Sequence, residues 1–140
     1  MYLFFDTETT GKPERYNAPL EDLDNWPRMV QLAWIIYDKD EKKTSEKEYI
    51  IKPEGFIIPE ESTKIHKITT EMATKEGIDL SRVLQEFSDD LKTADVLIAH
   101  NIRFDEKIVG AEFIRKKVSN NLFNLLKVCT MTYDIFYESL

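Results

Sequence analysis

The sequence predicts an α/β domain built on a mixed sheet, and three observations carry that expectation. The first half holds three strand-like apolar runs with no helix between them. The second half alternates helical and strand patterns, and clusters of turn-forming residues separate the two regimes. The opening run, residues 2–5, reads as a short buried strand that leads straight into Asp6-Thr7-Glu8-Thr9-Thr10-Gly11. Residues 11–27 contain three prolines and many polar side chains, which predicts a long irregular loop of the kind that is usually functional. Tyr16 and Trp26 within it are candidates for substrate contact or for anchoring the loop. Residues 29–37 are a central, mostly buried strand, 38–46 a charged turn, and 47–51 a third strand, so 29–51 form a hairpin beside the first strand.

Pro53 and Pro59 bracket a loop, after which residues 60–66 and 70–75 read as two short helices. Asp79 or Ser81 caps a clearer helix whose Leu80, Val83, Leu84, Phe87 and Leu91 share one stripe. The four apolar residues 96–99 predict a buried parallel strand. It ends at His100-Asn101, and a helix over 103–117 follows, with Phe104, Ile108 and Ala111 inward. Asn120-Asn121 breaks the pattern, a weaker strand covers 126–131, and residues 133–140 predict the opening of another helix. The result is a five-stranded mixed sheet with flanking helices in a single domain spanning residues 1–140.

The composition narrows the class. With 140 residues, 42% hydrophobic and 32% charged, the chain is long enough for one core and too short for two ordinary domains. A net charge of -7 argues against wrapping duplex nucleic acid through a basic surface. It leaves room for a nucleic-acid enzyme whose carboxylates bind divalent metal. The one cysteine, Cys129, permits no intramolecular disulfide and fits a reducing compartment. No apolar segment approaches the length of a membrane helix and no signal-like segment opens the chain, so a cytoplasmic protein without a membrane partner is expected.

Asp6 and Glu8 carry the chemistry. Two residues apart on a strand, they leave the same face, and two carboxylates side by side at the edge of an apolar core repel one another and resist desolvation. A divalent cation between them resolves both problems. Asp105, in the first turn of the helix after strand 96–99, can reach the same sheet edge, because ligands collect at the carboxyl ends of parallel strands. Three hard oxygen ligands suit Mg²⁺ or Mn²⁺. Two such ions about 4 Å apart would clamp a phosphodiester.

Phe4-Phe5-Asp6-Thr7-Glu8-Thr9-Thr10-Gly11 and His100-Asn101-Ile102-Arg103-Phe104-Asp105 resemble the first two motifs of the DnaQ-like (DEDDh-type) 3'–5' exonucleases, the family of the DNA polymerase III epsilon proofreading subunit. Ile65-His66-Lys67-Ile68-Thr69 resembles the family's element between them. The resemblance covers residues 1 to about 109 and implies a ribonuclease H-like fold. It implies that Asp6, Glu8 and Asp105 are catalytic metal ligands and that the complete site takes two Mg²⁺ or Mn²⁺ ions. It places Thr7 and Thr9 against the terminal nucleotide, His66 and Ile68 against the last bases, and Asn101 near phosphate or sugar. The implied activity is release of mononucleotides from the 3' end of single-stranded or frayed DNA, with RNA an open alternative and a DNA polymerase as partner.

The chain departs from that pattern after Asp105. No histidine follows, and the one later aspartate, Asp134, lacks a histidine five residues ahead of it. The third motif, with its general base and fourth metal ligand, is therefore expected to be missing together with the closing C-terminal helices. Such a domain is weakly active or inactive, since loss of a general base typically costs 10²–10⁴-fold. Two competitors follow from the same residues. One is a non-catalytic nucleic-acid-binding or polymerase-partner module, and the other is an aspartyl-nucleophile phosphatase, whose strand also runs into an Asp-x-Asp-x-Thr sequence but which wants aspartate where Glu8 stands.

Overall fold

The computed structural model describes residues 1–137. Eight residues, β1 (Tyr2–Thr9), alternate exposed and buried side chains through Thr7 and lie in the middle of a six-stranded sheet. The strand therefore continues through the acidic motif. β2 (Met29–Tyr37) pairs antiparallel with β1, and the largely polar edge strand β3 (Lys43–Ile50) pairs antiparallel with β2. Asp38 accepts from the backbone N–H groups of Asp40 and Lys42 and Glu41 adopts a left-handed φ of 60°, which turns the hairpin and starts β3 four residues earlier than expected.

α1 (Glu60–His66) ends at a left-handed Lys67, and α2 (Thr70–Glu76) is capped by the Thr69 hydroxyl, which accepts from Met72 N–H at 3.0 Å. Gly77 follows because backbone passes there: a Cβ on it would lie 2.2 Å from Ala73 O and 2.5 Å from Lys52 N. α3 (Leu80–Leu91) takes Asp79 as its cap and buries the expected stripe of Leu80, Val83, Leu84, Phe87 and Leu91. β4 (Val96–Ala99) then pairs parallel with β1, α4 (Ile102–Lys116) crosses back, and β5 (Leu126–Cys129) pairs parallel with β4.

One expectation is overturned at the end of the described chain. In place of a helix opening at Tyr133, the residues Asp134–Phe136 form β6, antiparallel to β5. Tyr133 takes a left-handed φ of 61°, and the resulting turn sends the chain back along β5. The sheet thus has six strands rather than five, ordered β3-β2-β1-β4-β5-β6. Residues 138–140 of the expected helix lie outside the described residues.

α3 and α4 cover the same face. Phe87 of α3 meets Phe5 and Trp34 of the sheet with ring centroids 5.7 and 5.0 Å apart, and stacks on Phe113 of α4. Leu3, Leu32 and Leu97 are fully buried beneath them. On the opposite face Tyr2 and Phe4 are each 40% exposed beside Ile35, Tyr37 and Ile98, and Asp6 follows on that same side.

Candidate active site

The parallel β1–β4 register, Phe4 opposite Ile98, carried two residues on, brings Asp6 to the level of His100. The acidic end of β1 therefore meets the loop that starts α4. Thr7, on the helix side of β1, donates its hydroxyl to Asp105 Oδ1 at 2.6 Å, and both residues are buried. This bond fixes the Asp105 carboxyl against β1 and spends the Thr7 hydroxyl on positioning.

The electrostatics show three acids in one small region. Burial pushes the Asp105 carboxyl up to about 6; the Thr7 hydroxyl opposes that rise, while the charges of Asp6 and Glu8 add to it. Asp6 is raised by burial, against the pull of the Thr7 backbone N–H and of His100. Glu8 is raised by burial and by Asp6, with His66 acting in the opposite sense. Among the described residues no three acidic, histidine or cysteine side chains stand in a closed coordinating cluster. The donor set nonetheless fits a hard cation: three oxygen ligands, mutually repelling and partly desolvated.

Beside these acids lies an open cleft of ≈ 530 Å³. Of the predicted site residues it brings together Thr7, Glu8, Thr9, His66 and Asn101. Asp6 opens instead onto the bare sheet face with Phe4 and Ala33, and Asp105 lies beneath, held by Thr7. The Thr9 hydroxyl donates to Gly11 O at 2.7 Å and accepts from Gly11 N–H, closing the turn after the strand. Asn101 stands at the N-terminus of α4 without capping it through its side chain. His66 Nδ1 accepts from Ile68 N–H at 3.1 Å, which places the ring proton on Nε2. That nitrogen is buried and has no hydrogen-bond partner.

Ile68 is placed elsewhere. It is 5% exposed and packs with Val30, Ile58 and Ala73, out of reach of a base in the cleft. The apolar side chain that does face the cleft is Ile65, 81% exposed at the end of α1. Sequence reasoning missed it because a seven-residue helix with one isoleucine gives no periodicity to say which way it points. Phe104, expected inward, is half-buried and lines the cleft as well.

The 11–27 loop divides its two aromatic residues between two jobs. Trp26 is buried, donates its indole N–H to Pro19 O at 3.0 Å, and anchors the loop. Arg115 of α4 donates to the Leu23 and Trp26 carbonyls and to Glu112, and the fully buried Glu112 also accepts from Arg28 and Met29 N–H. Tyr16 remains exposed on the cleft wall.

Residues 3–140 match the family model described as exonuclease, of the RNase T type. The chain belongs to this exonuclease family. The family is one of phosphodiester hydrolases, so membership in it sets aside the aspartyl-phosphatase reading. Comparison with curated proteins finds no match. Among solved structures the exonuclease fold is matched by E. coli exonuclease I in complex with a dT13 oligonucleotide, at 19% identity and a TM-score of 0.73 over 91% of this chain and 27% of that one. A moderately thermophilic exonuclease I from Methylocaldum szegediense matches at 21% identity and a TM-score of 0.67, over 82% of this chain and 23% of that one. The chain thus spans about a quarter of the length of these exonuclease I chains, and the likeness shows a shared fold.

Proposed function

We propose that the chain is a metal-dependent exonuclease domain of the DnaQ-like type that binds the 3' end of single-stranded DNA and cleaves its terminal phosphodiester. The observation that carries this reading is the crowding of Asp6, Glu8 and Asp105 beside a cleft. Burial raises all three carboxyls, neighbouring acids add to the rise at Glu8 and Asp105, and a bound cation would relieve both costs. Family membership supports the reaction class, and the oligonucleotide bound by E. coli exonuclease I supports a single-stranded ligand.

In this reading Asp6, Glu8 and Asp105 supply oxygen ligands to Mg²⁺ or Mn²⁺. Bound divalent cations supply Lewis acidity and positive charge at the phosphodiester. The chain's own residues do the rest of the positioning. The Thr7 hydroxyl holds Asp105 through Oδ1, which would orient the carboxyl for a cation. The turn closed by Thr9 presents backbone groups to the terminal nucleotide, and Asn101 and His66 line the same cleft. A DNA polymerase partner and a proofreading role belong to the same reading through the epsilon-type motifs.

A binding module is the second reading, and one observation favours it. His66 and His100 are the chain's two histidines, and none follows Asp105 to serve as the family's late general base. In that reading residues 1–140 bind the strand without cleaving it. Titration of Mn²⁺ by calorimetry tests the common core of both readings. Asp6→Ala is expected to bind Mn²⁺ at least about tenfold more weakly than the parent, the loss of one charged ligand. Equal affinities would remove the metal assignment.

A further inference from the structure

The 11–27 loop is long, yet it is tied down on both sides of Tyr16. Asn25, itself buried, accepts from Arg15 N–H at 2.8 Å and donates to Arg15 O at 2.9 Å. Lys107 of α4 donates its ammonium to Tyr16 O at 3.1 Å, and its Nζ sits 5.7 Å from the Trp26 ring centroid. Arg15 also pairs with Asp22 at 2.7 Å. The backbone that presents Tyr16 is thus fixed by side-chain bonds, while the Tyr16 ring is 54% exposed.

An exposed aromatic on a well-anchored backbone loses little further entropy when a flat ligand settles on it. The ring lines the same cleft as Glu8 and Thr9, on the loop that leaves the acidic motif, with Lys12 beside it. Ile65, His66 and Asn101 line the same cleft. In the proposed function Thr9, His66 and Asn101 take the terminal nucleotide, which leaves the Tyr16 ring for the next one. We infer that Tyr16 is the stacking platform for the base of the penultimate nucleotide, with the Lys12 ammonium as a contact to the phosphate before it. This deepens the proposed function and rests on it: the ligand is a single strand at least two nucleotides long, entering between the loop and α1. Stacking accepts any base because every base offers a π-face, so the subsite selects for single-strandedness and length rather than sequence.

The test is fluorescence anisotropy of 5'-labelled dT8, with dTMP as an unlabelled competitor, both in the presence of Ca²⁺. Tyr16→Ala is expected to weaken dT8 binding roughly 5- to 100-fold, the range for loss of one base–aromatic stack. Tyr16→Phe should stay within about twofold of the parent, because the ring and not the hydroxyl does the stacking. Inhibition by dTMP should be the same in all three proteins. An Ala variant that binds dT8 as tightly as the parent overturns the subsite and leaves the exonuclease reading standing. Equal loss of dT8 and dTMP places Tyr16 at the terminal nucleotide and overturns the penultimate assignment. A parent that binds neither ligand with Ca²⁺ present overturns the functional reading and this inference with it. Tyr16 is exposed and makes no side-chain hydrogen bond among those described, so a folding defect in the Ala variant would show separately as a lowered Tm against an unchanged Phe variant.

Discussion

Asp105 illustrates how a functional residue burdens the fold that holds it. The residue is 5% exposed, and its carboxyl shares a region with Asp6 and Glu8 and is pushed up to about 6 from 3.8 by burial. Below pH 3.8 both folded and unfolded chains carry the proton, and the group has no effect on stability. Between 3.8 and 6 the folded chain keeps a proton that the unfolded chain releases, so stability falls as pH rises through that window. Above 6 the whole cost of an ionised buried carboxyl is present. Asp105→Asn removes the charge, and its amide oxygen can still accept from Thr7. The metal-free variant is therefore expected to be more stable than the parent at pH 7 by roughly 1–3 kcal/mol, following the rise from 3.8 to about 6. That gain should vanish at pH 3.5. Urea titrations at the two pH values in EDTA measure it, and a variant less stable at pH 7 would contradict the account. The acidic pair on β1 was legible in the sequence because a period of two puts alternate residues on one face. The Thr7–Asp105 bond was not, because it joins residues 98 positions apart whose meeting depends on the β1–β4 register.

At the scale of elements, α4 and β5 meet over an ionic seam that no local pattern announces. Lys127 and Glu106 are both fully buried, with Nζ 4.0 Å from Oε2. Lys127 donates to Leu125 O at 2.8 Å, whereas neither Glu106 oxygen has a hydrogen-bond partner. Burial pushes the Lys127 ammonium down to about 8, so so distant a carboxylate does not offset its desolvation. Lys127→Met would leave Glu106 alone in an apolar setting and is expected to cost about 3–5 kcal/mol, the usual penalty for breaking a buried pair from one side. The double variant Glu106→Leu/Lys127→Met should recover most of that loss. Chemical denaturation of the single and double variants decides the matter, since additive losses would show that the two side chains act independently. The same seam explains where element reading succeeded and where it stopped. α3 was legible because five apolar residues repeat at helical spacing and Asp79 caps them. β5 gave a weak signal because its Leu-Lys-Val-Cys run puts a lysine on the buried face. β6 gave none, since three residues hold too little pattern to outweigh a helical reading, and a left-handed Tyr133 makes the turn.

For the whole molecule the organising fact is asymmetry: α3 and α4 share one face of the sheet, and the acidic strand end emerges at its edge beside a small cleft. The sequence order of elements was enough to predict a mixed sheet with ligands at the ends of its parallel strands. It was not enough to separate cleft from core in α1 and the segment after it, where Ile65 and Ile68 differ only in the turn made by a left-handed Lys67. This architecture also sets the scale of any nucleic-acid contact. A chain of net charge -7 repels a polyanion at long range, so affinity must come from short-range contacts in the cleft and from cations held by the three acids. Few phosphates are then neutralised by protein side chains, with Lys12 the basic residue lining the cleft. For single strands log K falls with log salt at a slope of about -0.7 per phosphate contact, so dT8 binding measured from 50 to 200 mM KCl at constant Mn²⁺ should give a slope no steeper than about -2. Chelation by EDTA should weaken the same complex at least about tenfold, because removing the cations restores the full repulsion between phosphate and carboxylates. A slope near -5, or binding indifferent to EDTA, would mean that the strand is held by an extended basic surface, and the small-cleft account of the molecule would fail.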